Sequence, residues 1–205
     1  MKNSALILHN LQIDYLPGGA MEVPDGDTLI PLANQLMNQF SEVIATIDWH
    51  PANHISFAGN HPWRHIGQTI PIDGREQELL PFHCVAGSFG ALFHSNLNKE
   101  KITHKIELGT ANNVDDYSAF TEAGKTEDTG LHTYLQAKNI NQVFIMGLPL
   151  EKAIKNTVLD AIKLDFKTFV IQDACRAWKK EEAKKIWKEL EKAGGMIVNA
   201  DRLFL

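Results

Sequence analysis

The stretch VIATIDWHPANH, residues 43–54, changes abruptly from apolar to polar. Its first five residues, 43–47, form a continuous apolar run that is typical of a strand buried in a sheet. Asp48 and His50 follow at the point where this run ends. Because alternate side chains of an extended chain share a face, this carboxylate and this imidazole can turn toward one cation. The stretch therefore predicts a buried strand with a candidate metal site at its end.

A third metal ligand is available further along the chain. His83 could complete a set of two imidazoles and one carboxylate with Asp48 and His50. Such a set, with open positions left for water, suits zinc, iron(II) or manganese. The alternative is that these three side chains are hydrogen-bonded loop anchors that hold no metal. His54 and His61 are interpreted as residues that structure the loop.

Composition limits the class of protein and its partners. The chain has 205 residues, of which 44% are hydrophobic and 22% charged, with a formal net charge of −5. These values predict one globular domain over residues 1–205 and argue against a nucleic-acid or membrane partner. Two cysteines are too few for a disulfide framework. The first apolar run, interrupted by His9 and Asn10, is too short for a signal peptide or a membrane span, so a cytoplasmic location is expected.

Short apolar runs alternate with amphipathic segments along the chain. Helices are predicted after a cap at Asp25 or Asp27, at 87–97, at 126–138, from the turn after Gly147 to residue 164, and at 181–193. Strands are predicted at 5–8, 43–47, 102–106, 143–146, 169–171 and 196–198. Such alternation implies right-handed crossovers and parallel pairing. The predicted fold class is α/β, a doubly wound, mainly parallel six-stranded sheet with helices on both faces.

The segment from 54 to 82 shows little periodicity and is punctuated by glycine and proline. A long irregular stretch in a compact domain is usually functional. In doubly wound sheets, ligands bind outside the carboxyl ends of the strands, near a switch in strand order. That rule brings together Asn10, the loop after Asp48, Lys105 and the turn after Met146. The irregular segment is expected to form one wall of this site.

The sequence DWHPANHISF, residues 48–57, resembles the metal loop of nicotinamidases, which belong to the isochorismatase-like hydrolase superfamily. Four further segments are similar to the same family and follow its order over nearly the whole chain: LQIDYLPGGAMEVPDGD, PFHCV, HK with DDYSAF, and TVLDAIKLDFKTFVIQDACR. The resemblance implies a three-layer α/β/α fold and a divalent metal held by Asp48, His50 and His83. It also implies a small pyridine- or amide-like ligand.

The same resemblance implies that two catalytic positions of the family are altered. The nucleophilic cysteine of nicotinamidases matches Ala153, and a methyl group cannot attack an amide. The family's aspartate matches Asn10, whose uncharged carboxamide cannot act as a general base. Lys105 matches the family's lysine and is predicted to be retained. Thiol-dependent amide hydrolysis is therefore predicted to be lost or strongly impaired.

The residues that match the family's substrate pocket are partly kept. Tyr15 and Tyr117 match aromatic positions that line the pocket. Leu80 stands where the family has a tryptophan that stacks on the ligand ring, so some stacking energy is lost. Lys152 replaces an aromatic or imidazole side chain just before the nucleophile position and adds a cation.

The turn after Gly147 matches one in which the family carries an unusual cis peptide bond. Here the bond joins Leu148 to Pro149, and a cis bond costs far less before proline than before other residues. We therefore predict a cis Leu148–Pro149 bond within the pocket. Cys84 and Cys175 match positions where family members carry cysteines that are not nucleophiles.

Three hypotheses follow from these patterns. The first is a nicotinamidase-like protein that keeps the metal site, lacks thiol chemistry and binds a small pyridine- or amide-like ligand. The second is an active hydrolase of the same family that uses metal-bound water, assisted by Lys105 or Glu151. The third is a structural subunit of a homo-oligomer, since family members often form oligomers. Metal content separates the third hypothesis from the other two, and turnover separates the first from the second.

Overall fold

The computed structural model describes residues 1–72, 74–115, 117–121 and 129–204. Eight strands lie in this part of the chain: β1 Ser4–His9, β2 Glu42–Asp48, β3 Thr69–Ile72, β4 Arg75–Glu78, β5 His104–Leu108, β6 Gln142–Gly147, β7 Lys167–Cys175 and β8 Met196–Val198. Six of them form one sheet in the order β5-β2-β1-β6-β7-β8, with every neighbouring pair parallel. The other two, β3 and β4, form a separate antiparallel hairpin.

Helices cover both faces of the six-stranded sheet. The described α-helices are α1 Leu29–Met37, α2 Leu131–Ala137, α3 Lys155–Lys163 and α4 Lys180–Ala193, and a π-helical turn, Leu150–Ile154, leads into α3. Leu6 and Leu8 of β1 pack in the core layer that contains α1, whereas Ala5 and Ile7 pack in the layer that contains α2, α3 and α4. A strand in contact with helices on both sides is apolar at every position, which explains the continuous run in β1. The predicted three-layer α/β/α fold is confirmed.

The strand order reverses at β1, which lies between β2 on one side and β6 on the other. The carboxyl ends of the strands meet at one edge. His9 is paired with Thr46 and Gly147, and Asp48 is paired with Leu108. Crevices at such a switch point are where open α/β sheets bind ligands. The candidate site lies at this edge.

Two sequence-based predictions of secondary structure are wrong. Residues 87–97, predicted as a helix, form turns and bends. The backbone there pairs with the loop after β1: the Asp14 N–H donates to the Gly90 carbonyl at 3.0 Å, and the His94 N–H donates to the Leu11 carbonyl at 3.1 Å. These long-range hydrogen bonds replace those of a helix. The hairpin of β3 and β4 was missed within the segment predicted to be irregular.

Other differences concern where the elements begin and end. The third strand of the main sheet in chain order, β5, begins and ends two residues later than predicted, at His104 and Leu108. The helix predicted at 126–138 begins at Leu131, and residues 126–128 lie outside the described part of the chain. Neither Asp25 nor Asp27 caps α1, which begins after Thr28. Among the described helices, none is both long and apolar enough to cross a membrane.

Candidate metal centre and ligand cavity

Asp48, His50 and His83 converge at the carboxyl end of β2. Each offers one ligand atom, and these atoms all lie within 4.8 Å of one another. All three residues are buried, with at most 6% of any of them exposed. The His50 Nε2 atom lies 3.8 Å from the Asp48 Oδ2 atom. Two imidazoles and a carboxylate at this separation match the protein ligands of a divalent metal with open coordination positions.

The partners of the two histidine rings fix which nitrogens face the cluster. Carbonyl oxygens only accept hydrogen bonds, so His50 Nδ1–H donates to the Gly109 carbonyl at 3.0 Å and His83 Nδ1–H donates to the Pro81 carbonyl at 3.0 Å. The Nε2 atom of each ring is left for the cluster. His50 Nε2 is buried and has no hydrogen-bond partner among the described residues. A buried, unpaired imidazole nitrogen backed by a carbonyl is the arrangement that a metal ligand adopts, and the residues therefore fit a metal.

Asp48 is positioned by two side chains from the loop after β1. The Tyr15 hydroxyl donates to Asp48 Oδ2. Gln12, which is fully buried, donates from Nε2 to the Asp48 carbonyl and accepts from the Asp48 N–H, both at 2.8 Å. Its Nε2 also donates to the Ala91 carbonyl at 2.9 Å. Sequence analysis missed Gln12, because no pattern in the neighbouring sequence indicates that its side chain forms hydrogen bonds with a distant backbone segment.

Burial and mutual attraction act against each other in the protonation of the three ligands. Burial raises the pKa of Asp48, but the neighbouring His50 imidazole brings it below its usual value. Burial lowers the pKa of His50, yet the neighbouring Asp48 raises it above its usual value. The pKa of His83 is lowered, first by burial and then by the charge of His50. A metal bound to this set would therefore compete with a proton for His50.

The two histidines interpreted as loop residues use their ring nitrogens within the loop. His54 Nδ1 lies 2.8 Å from the Ser56 hydroxyl, and His54 Nε2 lies 2.9 Å from the Val114 carbonyl. His61 Nε2 lies 2.7 Å from the Ile55 carbonyl. His54 stacks close to His50, with 4.4 Å between ring centroids. Because both of its nitrogens are engaged, His54 has no lone pair to offer a metal.

A cavity lies beside the cluster, with about 360 Å³ of empty space when the part open to solvent is included. Five of the six residues predicted for the substrate pocket line it: Tyr15, Leu80, Tyr117, Pro149 and Lys152. The sixth, Leu148, is fully buried in the core layer of α1 and does not line the cavity. The predicted cis Leu148–Pro149 bond is confirmed. The full lining is Asn10, Tyr15, Met21, Asp48, Leu80, His83, Leu108, Asp115, Tyr117, Pro149, Lys152, Ala153 and Trp178.

Three further lining residues follow β1, end β5 and lie in the π-helical turn, respectively. Asn10, Leu108 and Ala153 bring a carboxamide, an isobutyl group and a methyl group to the cavity. All three are buried, with at most 4% of any of them exposed. Asn10 has a positive φ of 51°, which asparagine tolerates better than most residues. None of these groups is charged, acidic or nucleophilic.

The structure corrects the placement of Lys105, which does not line the cavity. Its ammonium pairs with Glu107 at 2.8 Å, and 46% of its side chain is exposed. Side chains alternate along β5, so Lys105 and Glu107 share the exposed face, whereas Ile106 and Leu108 are buried. The strand continues two residues beyond its predicted end. The residue that β5 brings to the cavity is therefore Leu108.

Neither cysteine lines the cavity, and both are buried. Burial raises the pKa of Cys84, and the charges of Asp48 and Asp14 raise it further. Burial raises the pKa of Cys175 to about 12. A thiol that is protonated and inaccessible is not a nucleophile. The expectation that these two cysteines are not nucleophiles agrees with where they lie.

Sequence analysis missed four of the lining residues, namely Met21, Leu108, Asp115 and Trp178. Asp115 is buried and accepts a hydrogen bond from the Tyr117 hydroxyl. Asp115 could have been found, because it lies two residues before Tyr117 in a segment already singled out. Trp178 gives no local signal, since it comes from the loop between β7 and α4.

Comparison with protein families and relatives gives one consistent result. Residues 4–202 match the model of the isochorismatase domain. The chain is 40% identical over 175 residues to the nicotinamidase of Acinetobacter baylyi, which covers 85% of this chain and 82% of that protein.

Solved structures agree. The nicotinamidase/pyrazinamidase of Acinetobacter baumanii superposes with a TM-score of 0.94 at 40% identity, covering 100% of this chain and 99% of that one. Yeast nicotinamidase bound to the inhibitor nicotinaldehyde gives 0.88 at 29% identity, covering 96% and 99%. The pyrazinamidase of Pyrococcus horikoshii in complex with zinc gives 0.79 at 30% identity, also covering 96% and 99%.

Proposed function

Since this chain belongs to the isochorismatase domain family, we propose that it binds a small pyridine- or amide-like ligand beside a divalent metal without hydrolysing amides through a thiol. Asp48, His50 and His83 hold the metal, and Tyr15, Leu80, Tyr117, Pro149 and Lys152 surround the ligand. Lewis-acid polarisation of a ligand oxygen or nitrogen is the chemistry that a divalent metal supplies when bound there. The solved neighbours that hold zinc or nicotinaldehyde support both parts of the proposal.

One observation carries this proposal. The metal cluster lines the cavity together with the neutral side chains of Asn10, Leu108 and Ala153. Thiol catalysis needs a nucleophile, a base that takes its proton and a group that stabilises developing charge. Among the described residues that line the cavity, no cysteine is present. The described lining therefore offers ligands for a metal and no thiol.

The test is a pair of measurements on purified protein loaded in turn with zinc, iron(II) and manganese. Calorimetry should show nicotinamide binding that depends on the metal. An assay for ammonia should show no release from nicotinamide above the rate without protein. Metal-dependent ammonia release by the native chain would contradict the proposal. A native chain that bound neither a metal nor nicotinamide would contradict it as well.

A rebuilt site provides the control. It carries three substitutions, Asn10→Asp, Leu108→Lys and Ala153→Cys, since Leu108 lines the cavity and Lys105 does not. We expect this triple variant to release ammonia at least about 100-fold faster than the native chain, given the size of acid–base contributions. The matched variant that keeps Leu108 and changes only Asn10 and Ala153 should release less.

A second function, hydrolysis that depends on the metal and not on a thiol, is favoured by one observation. Asp115 is a buried carboxylate in the cavity, and apart from the metal ligand Asp48 it is the only acidic residue among the described lining residues. Its contact with the Tyr117 hydroxyl places a proton between the two groups. If the native chain releases ammonia, Asp115→Asn should abolish the activity while the metal content stays unchanged. Activity that survives this substitution would exclude Asp115 as the required group.

A further inference from the structure

Lys152 stands at the boundary between the cavity and an outer cleft. It lies in the π-helical turn Leu150–Ile154, and 25% of its side chain is exposed. It lines the inner cavity beside Ala153 and also lines the outer cleft beside Glu78. A ligand that enters the cavity from this cleft therefore meets its ammonium group.

The contacts of Lys152 hold its ammonium against aromatic side chains. Lys152 Nζ lies 4.7 Å from the centroid of the Tyr117 ring and 5.9 Å from that of Trp178. It donates to the Tyr117 hydroxyl at 3.3 Å and to Glu78 Oε2 at 3.2 Å. An ammonium has three donors, and the described residues engage two of them through these contacts. The lysine is thus fixed in place with donor capacity left for a ligand.

The charges around Lys152 differ between its two sides. Glu78 belongs to the outer cleft, does not line the inner cavity, and has 51% of its side chain exposed, so water and salt screen its charge. On the inner side, Lys152 is the only lysine or arginine among the described lining residues. The two inner carboxylates, Asp48 and Asp115, balance a divalent metal, which leaves the ammonium as the charge in excess.

We propose that Lys152 makes this cavity selective for planar aromatic carboxylates over the corresponding neutral carboxamides. The inference rests on the proposed function, since it concerns the ligand of that same site. An ammonium can form a charge-assisted hydrogen bond with a carboxylate, and it has no such gain with an amide. Asn10 and Ala153, which also line the cavity, carry no charge that would repel an anion. The site then holds the acid, which is what amide hydrolysis would yield, and does not act on the amide.

The test uses two matched ligand pairs with the zinc-loaded protein, nicotinate with nicotinamide and benzoate with benzamide. Calorimetry at pH 7.5, where both acids are ionised, should give at least about 10-fold tighter binding of each acid than of its amide, as expected for a hydrogen bond to a charged group. The wild-type preference tests the proposal even if no variant folds. Equal affinities, or a preference for the amides, would overturn it and leave the proposed function standing. Absence of binding by all four compounds would overturn both.

Variants assign the preference to Lys152. Lys152→Met should remove the acid preference, measured as the ratio of acid to amide affinity, because the charge-assisted bond to the acid is lost. Lys179→Met is the matched control: Lys179 also lines the outer cleft, but 69% of its side chain is exposed and it pairs with Glu182. Glu78→Gln should keep or increase the acid preference, since it removes the competing anion. If the ratio of acid to amide affinity is unchanged in Lys152→Met, the proposal is wrong. The role of Lys152 would then be structural, through its ion pair with Glu78 of the β3–β4 hairpin.

Discussion

The two walls of the cavity differ in how much of the surrounding structure supports them. On the metal side, each ligand is held by a second group: Tyr15 and Gln12 hold Asp48, the Gly109 carbonyl holds His50, and the Pro81 carbonyl holds His83. The neutral wall is formed by Asn10, Leu108 and Ala153, whose side chains are uncharged. Among the described residues, the Asn10 side chain makes one weak contact, at 3.5 Å with the Thr46 hydroxyl. The metal ligands are thus oriented by hydrogen bonds, whereas the neutral wall is held mainly by packing.

The two groups of residues differ in the free-energy cost of a substitution. A buried polar cluster can be left with unpaired atoms, whereas an aliphatic side chain cannot. A ligand histidine with an unpaired buried nitrogen is unfavourable unless something binds it. Its presence at His50 therefore argues for a metal. A methyl or isobutyl group in a cavity wall needs no partner. Three experiments test this difference between the metal ligands and the neutral wall, and the first has the largest expected effect.

Removing a ligand of the cluster should abolish metal binding. We expect His83→Ala to weaken zinc affinity by more than about 100-fold, since even the loss of an outer-shell partner costs 10–100-fold. Competition with a chromogenic chelator measures this. His54→Asn is the control, because His54 lies against His50 but uses both nitrogens within the loop. It should lower the melting temperature and leave the zinc stoichiometry at its native value. Equal zinc loss in both variants would mean that the cluster has been assigned wrongly.

A methyl group at Gly109 should disturb the metal side without touching a ligand. Gly109 has a φ of +63°, and a Cβ there would lie 2.2 Å from His50 Cε1. We expect Gly109→Ala to cost about 1–2 kcal/mol for the backbone conformation and to weaken zinc binding about 10-fold or more by displacing His50. Gly67→Ala is the matched control, since Gly67 has a φ of +84° and no atom within 4 Å of its Cβ. Unfolding titrations should show the backbone cost alone in Gly67→Ala and a larger loss of stability in Gly109→Ala, because of the contact with His50. Zinc titrations should show a defect in Gly109→Ala alone.

The smallest expected effect concerns how fast a thiol introduced at position 153 reacts, compared with the two buried native cysteines. Burial raises the pKa of Cys175 to about 12 and raises that of Cys84 as well, so both remain protonated at pH 8. Mass spectrometry after iodoacetamide treatment should find neither cysteine modified in the native protein and both modified in urea. Ala153→Cys should be modified in the native state at least about 10-fold faster than either, because position 153 lines the cavity. Rapid modification of Cys84 in the native chain would show that the metal side is less closed than the structure indicates.

Most of the fold could be predicted because strands that are buried on both faces have a recognisable apolar sequence pattern. The runs in β1, β2 and β6 are apolar at successive positions, as expected for strands covered by helices on both sides. The metal cluster could be proposed because two of its members lie two residues apart at the end of such a strand. The third member, His83, was proposed from its residue type, and the resemblance to nicotinamidases added support for it and the order of the segments.

What could not be predicted depends on register and on distant contacts. A two-residue error in the end of β5 placed Lys105 at the cavity, although strand alternation puts Leu108 there. The segment 87–97 has helix-compatible spacing, but its backbone pairs with the loop after β1. The pairing of Lys152 with Glu78 spans 74 positions and joins a hairpin that was missed. Such contacts are set by tertiary structure, which local patterns do not encode.

The amide of Gln12 has a consequence for how this cavity could have evolved. Gln12 lies only two positions after Asn10, and its hydrogen bonds go to the backbone of Asp48 and to Ala91. The loop that carries Asn10 is therefore anchored by a neighbour whose contacts do not involve the residue at position 10. Position 10 can therefore vary in sequence while the loop that carries it keeps its anchor to the metal ligand.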